Sequence, residues 1–465
     1  MIDLQASKIA EIVGGKLVGS DVTVTAAPVF NSKVATSGSI FLALVGENVD
    51  GHQYISDAFA NGAVVAITTR EVSERCIVVS DVMVALNQLA SFVRSSIPNL
   101  KVIALTGSQG KTTTKDLLNH ILSTVASTIA PAGNFNNELG APITLLQCDL
   151  HTKFCILEMG ARHVGDIAAL CKMATPDIGV VLKVGSAHIG EFGSAEGVAK
   201  AKSEMISSLS SGAVAVLGQY DEFTKDMKRL HSGKAITFGE TTNADVRATD
   251  IEIREGRPHF DLVTPAGRAA VGLRLVGIHQ VANALAAAAI ATELGISIDV
   301  IAGALSTAEM NSKWRMEIHE LAGFVLINDA YNSSPESAEA ALRTLVLFAQ
   351  ERGGQSWAFL GKMHELGASS PQRHANIGTL ASELGIDHLV CINADEYASD
   401  ISAASQMVVH RFTSFKEAEE LVDQMNQGDV LLVKASRAEK FEELAGQLAG
   451  QLTDKWSTGS EGGDI

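Results

Sequence analysis

Residues 102–115, VIALTGSQGKTTTK, are the stretch that decides how the rest of the chain is interpreted. Four apolar residues at its start predict a short buried strand, and the pattern DLLNHIL after its end predicts a helix. Between them, glycines allow a tight turn and close approach to a ligand. A strand, a glycine loop and a helix start in this order form a phosphate site, because backbone N–H groups and the positive end of the helix dipole face the anion.

The chemistry of this loop predicts ATP binding. The ammonium of Lys111 can neutralise β- and γ-phosphate oxygens, and the hydroxyl of Thr112 can bind Mg²⁺. Leu105 stands where the common GxxxxGK[ST] pattern has its first glycine, so this is a shorter loop, and an ordinary turn is the alternative. The residues predicted to contact ATP here are Gly107, Ser108, Gln109, Gly110, Lys111, Thr112 and Thr113.

Composition limits the class of protein. A chain of 465 residues with 46% hydrophobic and 19% charged residues predicts a folded protein of two to four domains. The net charge of −17 argues against a general nucleic-acid binder, which needs basic density. We expect no membrane insertion, because no apolar run approaches the ~20 residues of a span. The five cysteines lack CxxC spacing and, with no signal-peptide core at the N-terminus, indicate buried thiols in the cytoplasm.

The order of apolar runs predicts an α/β protein of three domains. Residues 1–97 form a small α/β unit that ends at the breaker Ile97-Pro98-Asn99. In residues 98–312 strands and helices alternate, which predicts a central parallel sheet carrying the phosphate loop. A third, Rossmann-like α/β unit covers 313–453. The polar residues 454–465 are expected to be a disordered tail.

Two polar residues end apolar strands of the central unit. Glu158 finishes FCILE, and His188 follows DIGVVLKVGSA. Each could be a hydrogen-bonded core residue, but at strand ends beside a phosphate loop they favour a metal site. Mg²⁺ prefers oxygen ligands, so a histidine is unexpected from chemistry alone. Lys202, fourteen residues past His188, is by itself typical of a solvated helix face.

Several of these segments together resemble the Mur ligases, the amide-forming synthetases of cell-wall precursor assembly. TGSQGKTT is similar to their ATP loop, and GNFNNELGAP, AHIGEFGS, GIHQVANALAAAA, KWRM and NDAYNSSP match further motifs in the family's order. The resemblance implies an ATP-dependent ligase that uses two Mg²⁺. It also implies that Lys111, Glu158, His188, Lys202 and Arg315 are catalytic, with Lys202 carbamylated by CO₂.

The resemblance assigns roles to further residues. A metal site would comprise Thr112, Glu158, His188 and carbamylated Lys202, with Lys200 as the alternative lysine. Arg315 would face the γ-phosphate and Asn283 the adenine. The remaining ATP contacts would be Asp329, Tyr331 and Asn332. The muramyl substrate would contact Ser32, Lys33, Asn134, Asn136 and Asn137.

The YN segment within NDAYNSSP is typical of the family member that adds the terminal dipeptide. The implied partners are therefore UDP-N-acetylmuramoyl-tripeptide and D-alanyl-D-alanine, joined through an acyl phosphate by a monomer. Two alternatives remain, a tripeptide-forming ligase of the same superfamily and a regulatory protein that binds nucleotide without ligating. The chain departs from the family pattern at six positions, which are Lys33, Lys183, Gln280, Trp314, Lys362 and Ala435.

Overall fold

The computed structural model describes residues 1–131, 133, 135–185, 189–309 and 312–457. It has three α/β units, which confirms the predicted fold class. The first two units share one continuous buried cluster, whereas the third has two clusters of its own. The third unit is therefore the one most separable from the rest. Within the described residues no helix has both the length and the apolar character needed to cross a bilayer.

The N-terminal unit is built on a four-stranded sheet in the order β2-β6-β5-β4, with a separate β1–β3 pair. Asp81 caps α3 by accepting a hydrogen bond from Val84 N at 2.9 Å, as its position before the helical pattern predicts. The elements are β1 (Leu4–Gln5), α1 (Ala6–Ile12), β2 (Lys16–Val18), β3 (Thr23–Val24), β4 (Ile40–Leu42), α2 (Ile55–Ala60), β5 (Val65–Thr68), β6 (Cys76–Val78) and α3 (Val82–Ser96).

The central unit carries a nine-stranded sheet in the order β8-β9-β7-β10-β11-β12-β13-β14-β15. Its elements are β7 (Lys101–Thr106), α4 (Lys111–Ser123), β8 (Thr128–Ile129), α5 (Gly140–Leu146), β9 (Phe154–Glu158), α6 (Asp166–Ala174), β10 (Ile178–Val181), α7 (Ile189–Phe192), α8 (Ala195–Ser207), β11 (Val214–Gly218), β12 (Lys234–Gly239), β13 (Val246–Arg254), β14 (Arg257–Thr264), β15 (Gly267–Gly272), α9 (Gln280–Glu293) and α10 (Ile298–Thr307).

This sheet is parallel as far as β13, but β13, β14 and β15 pair antiparallel. The central sheet is therefore parallel as predicted except at this edge. The reason is local, because Glu255 and Gly256 both have positive φ (51° and 70°) and close a two-residue hairpin. Strand β14 also alternates strictly between buried and half-buried residues, which is typical of a sheet with one face on the core.

The C-terminal unit is a six-stranded sheet in the order β16-β17-β21-β18-β19-β20, parallel except for the edge strand β16. Its elements are β16 (Glu317–Leu321), β17 (Phe324–Asn328), α11 (Pro335–Arg352), β18 (Ser356–Leu360), α12 (Ser370–Glu383), β19 (His388–Ile392), β20 (Val408–Phe412), α13 (Phe415–Glu419), β21 (Val430–Lys434) and α14 (Phe441–Ser457).

Helix α14 runs four residues into the region expected to be a disordered tail. Leu448 and Leu452, one turn apart, are fully buried against the third unit. Lys455 donates a hydrogen bond to Val422 O at 2.8 Å. These contacts keep the helix intact as far as Ser457, so the tail boundary at 454 was placed too early. Residues 458–465 lie outside the described part of the chain.

Candidate functional site

The phosphate loop connects β7 to α4 and has the backbone geometry that its glycines predict. Gly110 has φ 81°, and a Cβ there would collide with Oδ1 of Asn283. A Cβ on Gly107 would lie 2.9 Å from Cβ of Leu182. Both positions therefore require glycine. Lys111 Nζ donates to Gly107 O at 2.8 Å. Burial lowers the pKa of Lys111, the Glu158 carboxylate opposes that shift, and Arg315 adds to it.

Glu158 is the centre of a buried polar group at the end of β9, with only 2% of its surface exposed. Thr112 Oγ1 donates to one of its carboxylate oxygens at 3.1 Å, and Asn136 Nδ2 donates to the other at 3.1 Å. A hydroxyl and a carboxylate this close together are a donor set that suits Mg²⁺. The structure therefore brings together three of the predicted residues. Asn134 and His188 lie outside the described residues.

Lys202 is not a solvated surface lysine, the reading that the helix pattern alone favoured. It lies on α8 and is 2% exposed, whereas Lys200 on the same helix is exposed. Burial, and then repulsion from the Lys111 ammonium, lower the pKa of Lys202 to about 7. The lysine therefore shares an electrostatic environment with the phosphate loop. Among the residues that the structure describes, no three His, Cys, Asp or Glu side chains cluster as a metal site would require.

Helix α9 packs against α4 and presents amides to the loop. Asn283 Oδ1 faces Thr114 Oγ1 at 3.5 Å, and its Nδ2 donates to Gln280 Oε1 at 2.8 Å. Gln280 also contacts His279 Nε2 at 3.1 Å. The Nδ1 atom of His279 is buried without a hydrogen-bond partner among the described residues, and burial lowers the pKa of this imidazole to about 4. His279 thus adds a neutral donor to the site that we did not predict.

Arg315 lies in the connection between the second and third units. Its guanidinium carbon is 3.8 Å from the centroid of the Tyr331 ring, a cation–π contact. Its neighbours Trp314 and Met316 both have positive φ (61° and 51°), and the Met316 amide donates to Asp329 Oδ1 at 3.1 Å. Two strained backbone positions thus fix the direction of the arginine.

Lys434 is a site residue that the sequence analysis did not single out. It ends β21, is 1% exposed, and donates to Asp329 Oδ2 at 2.5 Å and to Asn332 O at 2.9 Å. It therefore orients two residues predicted to bind ATP. The signal was present, because VLLVK is an apolar strand ending in a charged residue, the same pattern that marked Glu158.

Hydrogen bonds between described residues join the second unit to the third unit and to the segment that connects them. Gln109 Nε2 donates to Ser334 Oγ at 3.1 Å, just before α11. Gly190 N donates to Glu365 O at 3.1 Å. Ser312 Oγ donates to Asp116 Oδ2 at 2.7 Å. The cleft encloses a cavity of about 530 Å³ whose walls include the following predicted residues: Ser108, Gln109, Gly110, Lys111, Thr112, Thr113, Asn136, Glu158, Asn283, Arg315, Asp329, Tyr331 and Asn332.

The N-terminal unit has a separate pocket of about 700 Å³ that includes Ser32 and Lys33. Phe30 forms one wall, and its ring centroid lies 6.3 Å from that of Phe135, in the GNFNN segment of the central unit. The pocket thus borders the segment that carries Asn136 and Asn137. Asn137 Oδ1 accepts a hydrogen bond from Gly140 N at 2.9 Å, at the start of α5.

Known proteins match this chain over almost its whole length. Three family models match in succession: "Mur ligase family, catalytic domain" over residues 30–103, "Mur ligase middle domain" over 105–291, and "Mur ligase, glutamate ligase domain" over 314–437. A UDP-N-acetylmuramoyl-tripeptide–D-alanyl-D-alanine ligase from Mycobacterium tuberculosis (strain ATCC 25618 / H37Rv) is 36% identical, with 97% of this chain and 99% of the relative covered.

Solved structures match equally well. MurF from Acinetobacter baumannii is similar with a TM-score of 0.88 at 34% identity, covering 96% of this chain and 99% of that one. MurF ligase from Thermotoga maritima in complex with ADP is similar with a TM-score of 0.81 at 30% identity, covering 93% and 99%. Both matches span all three units and the cleft between the second and third.

Proposed function

This chain belongs to the Mur ligase family, and we propose that it joins D-alanyl-D-alanine to UDP-N-acetylmuramoyl-tripeptide with hydrolysis of ATP to ADP and phosphate. The observation that carries the proposal is the cleft, where a phosphate loop on one unit faces Arg315, Asp329 and Lys434 across a single cavity. A protein that only binds nucleotide does not require a second unit that places charged side chains opposite the phosphate loop. The reaction serves peptidoglycan precursor synthesis in the cytoplasm, and the protein acts as a monomer.

The chemistry follows from the poor electrophilicity of a carboxylate. The terminal carboxylate of the tripeptide attacks the γ-phosphorus of ATP, the bond to the β-phosphate oxygen breaks, and an acyl phosphate and ADP result. The amine of the dipeptide then attacks the acyl carbon and loses a proton. The tetrahedral intermediate collapses, an amide forms, and phosphate leaves. Lys111 and Arg315 face the transferring phosphoryl group, where fixed positive charge lowers the barrier most.

Thr112 and Glu158 would hold Mg²⁺ beside the phosphates, and Glu158, His188 and carbamylated Lys202 would hold a second Mg²⁺. These ions supply charge neutralisation for the crowded anions. Asn136 contributes by fixing one oxygen of Glu158, which leaves the orientation of that carboxylate settled before substrates arrive. A neutral Lys202 amine, favoured by its lowered pKa, is the form that reacts with CO₂.

The pocket of the N-terminal unit takes the uridine nucleotide, and the segment at Asn136 and Asn137 takes the muramyl peptide. Phe30 offers an aromatic face to a base, and Asn31, Ser32 and Asn61 offer polar groups at the same wall. The rings of Phe30 and Phe135 connect this pocket with the central unit. One extended substrate can therefore reach from the first unit to the cleft.

Phosphate release from ATP tests the function, with UDP-N-acetylmuramoyl-tripeptide and D-alanyl-D-alanine each supplied and omitted. We expect rapid release only when both are present, together with a product whose mass equals that of the two joined minus water. Release that is independent of the dipeptide, with no ligated product, would contradict the proposal.

A further inference from the structure

We propose that Arg437, stacked on Trp314, binds the carboxylate of the acceptor dipeptide and so selects an acceptor with a free C-terminus. This inference rests on the proposed function. A dipeptide acceptor presents an amine that must reach the acyl phosphate and a carboxylate that needs a cation. Two residues of extended chain span about 7 Å, which is the reach from the reacting amine to the carboxylate. The cation that binds the carboxylate must therefore lie in the cleft, near the phosphate groups but separate from them.

Among the described residues of the third unit, four basic side chains line the cavity, and one of them, Arg315, is assigned to the γ-phosphate in the proposed function. Lys434 is buried and already neutralised by Asp329. His364 contacts Glu439 at 2.6 Å and is positively charged only when protonated. Arg437 is a permanent cation with 48% of its side chain exposed, in the turn Arg437–Glu439 that follows β21. It is the one whose charge and exposure both suit an incoming carboxylate.

Stacking leaves Arg437 available for a ligand. Its guanidinium carbon lies 4.4 Å from the centroid of the Trp314 ring, and Nη1 donates to Glu442 at 2.5 Å. A guanidinium that lies over an aromatic face keeps its N–H groups at its edge, so the planar fork can still bind a carboxylate. Glu442 fixes one arm of that fork. Trp314 and Glu442 together thus orient Arg437 without covering it.

Two further observations support this position for the acceptor. Small side chains of the third unit also line this cavity, and they suit a ligand whose own side chains are methyl groups; these residues are Ser333, Ser334, Ser337, Ala340 and Ala341. Trp314 has φ 61°, a backbone conformation that tryptophan rarely adopts and glycine adopts freely. The family pattern has glycine here. This chain therefore carries an indole at a position where tryptophan strains the backbone and glycine would not.

The test compares D-alanyl-D-alanine with its C-terminal amide, which lacks the negative charge. We expect the unsubstituted enzyme to prefer the acid in kcat/KM by roughly 10- to 100-fold, the effect of one strong charge-assisted contact. Arg437→Gln should lose that preference while the KM for ATP stays unchanged. Trp314→Gly should reduce the preference, and Trp314→Phe should keep it.

Arg343→Gln is the matched control. Arg343 lies on α11 in the same unit, pairs with Glu339 and is 49% exposed, but it does not line the cavity. This variant should keep the full preference. Arg437→Gln leaves the Glu442 carboxylate without its partner. The double substitution Arg437→Gln with Glu442→Gln removes that unpaired negative charge. The double variant should behave like Arg437→Gln.

Retention of the preference by folded Arg437→Gln or by the double variant would overturn the proposal. So would loss of the preference in Arg162→Gln alone, since Arg162 lines the central-unit side of the cavity and would then be the carboxylate site. Equal use of acid and amide by the unsubstituted enzyme would also overturn it while leaving ligation itself intact. An absence of any dipeptide-dependent turnover would instead refute the proposed function.

Discussion

Replacing Lys202 by alanine should abolish most of the activity without unfolding the protein. An ammonium at this position, 2% exposed and repelled by Lys111, would oppose a cation in the same partly dry site. Carbamylation reverses the charge and provides oxygen ligands suited to Mg²⁺. We therefore expect Lys202→Ala to lower kcat by about 10²–10³-fold, the usual cost of removing one electrostatic group from an active site.

The lowered pKa gives this prediction a pH dependence. CO₂ reacts with the neutral amine, and with a pKa of about 7 roughly 90% of Lys202 is neutral at pH 8, against less than about 1% for an ordinary lysine. Enzyme stripped of CO₂ should thus regain activity on addition of bicarbonate at pH 8. The rate of recovery should fall as the pH drops through about 7, where the amine becomes protonated.

The assay is steady-state phosphate release at saturating substrates, with acetate added to the alanine variant. Acetate can place a carboxylate in the vacated space and should restore part of the activity. Lys200→Ala, on the exposed face of the same helix, should be as active as the unsubstituted enzyme. Near-normal kcat in folded Lys202→Ala, or inactivity accompanied by unfolding with no rescue, would refute the reasoning and return Lys202 to a structural role.

Three further predictions concern Lys111, closure of the cleft and the buried His374 of α12. Lys111→Ala should lower kcat/KM by at least about 10²-fold with an unchanged melting temperature, because Lys111 lines the cleft cavity and, in the proposed function, neutralises phosphate; near-normal turnover would contradict the loop assignment. Nucleotide with muramyl substrate should reduce the radius of gyration in X-ray scattering, and Gln109→Ala should weaken that change by removing the contact to Ser334. His374→Asn should lower the free energy of unfolding by about 1–3 kcal/mol at pH 8, measured by denaturant titration, because the buried imidazole accepts from Met363 N at 2.9 Å and contacts Ser370 O at 2.7 Å. Burial lowers the pKa of His374, so the intact protein itself loses this stability as the pH falls below about 6.5, and the difference should shrink at pH 5; a constant difference would argue against a neutral imidazole.

Local patterns were sufficient for the phosphate loop. The conformation of Gly110 and the strand ending at Glu158 follow from residues adjacent in sequence, and both are confirmed. Lys202 was different, since a lone lysine is typical of a solvated face, although Val198, Met205 and Ile206 lie three or four residues away on the buried face of the same helix. The family resemblance indicated an interior position, and the structure places the side chain there.

Other features were beyond sequence reasoning because they depend on contacts distant along the chain. Gln109 and Ser334 are 225 residues apart, and Lys434 and Asp329 are 105 apart. Neither pair has a spacing that a helix or strand pattern could encode. The antiparallel edge was missed for another reason. Its signal, the alternation in β14 and the Glu255-Gly256 turn, was present but was not weighed against the general α/β alternation.

At two of the six departures from the family pattern, the contact is made by the backbone. The carbonyl of Lys183 accepts from Ser108 N at 2.8 Å, and that of Lys362 accepts from Ser436 N at 3.0 Å. Every residue has the same backbone carbonyl whatever its side chain. Substitution at these two positions therefore leaves the hydrogen bonds to Ser108 and Ser436 unchanged. Trp314 brings a side-chain contact to the cleft, its stack with Arg437, and Gln280 brings another, since its Oε1 accepts from Asn283 Nδ2 at 2.8 Å. Any divergent chemistry in this chain should therefore be sought at Trp314 and Gln280 and not at Lys183 or Lys362.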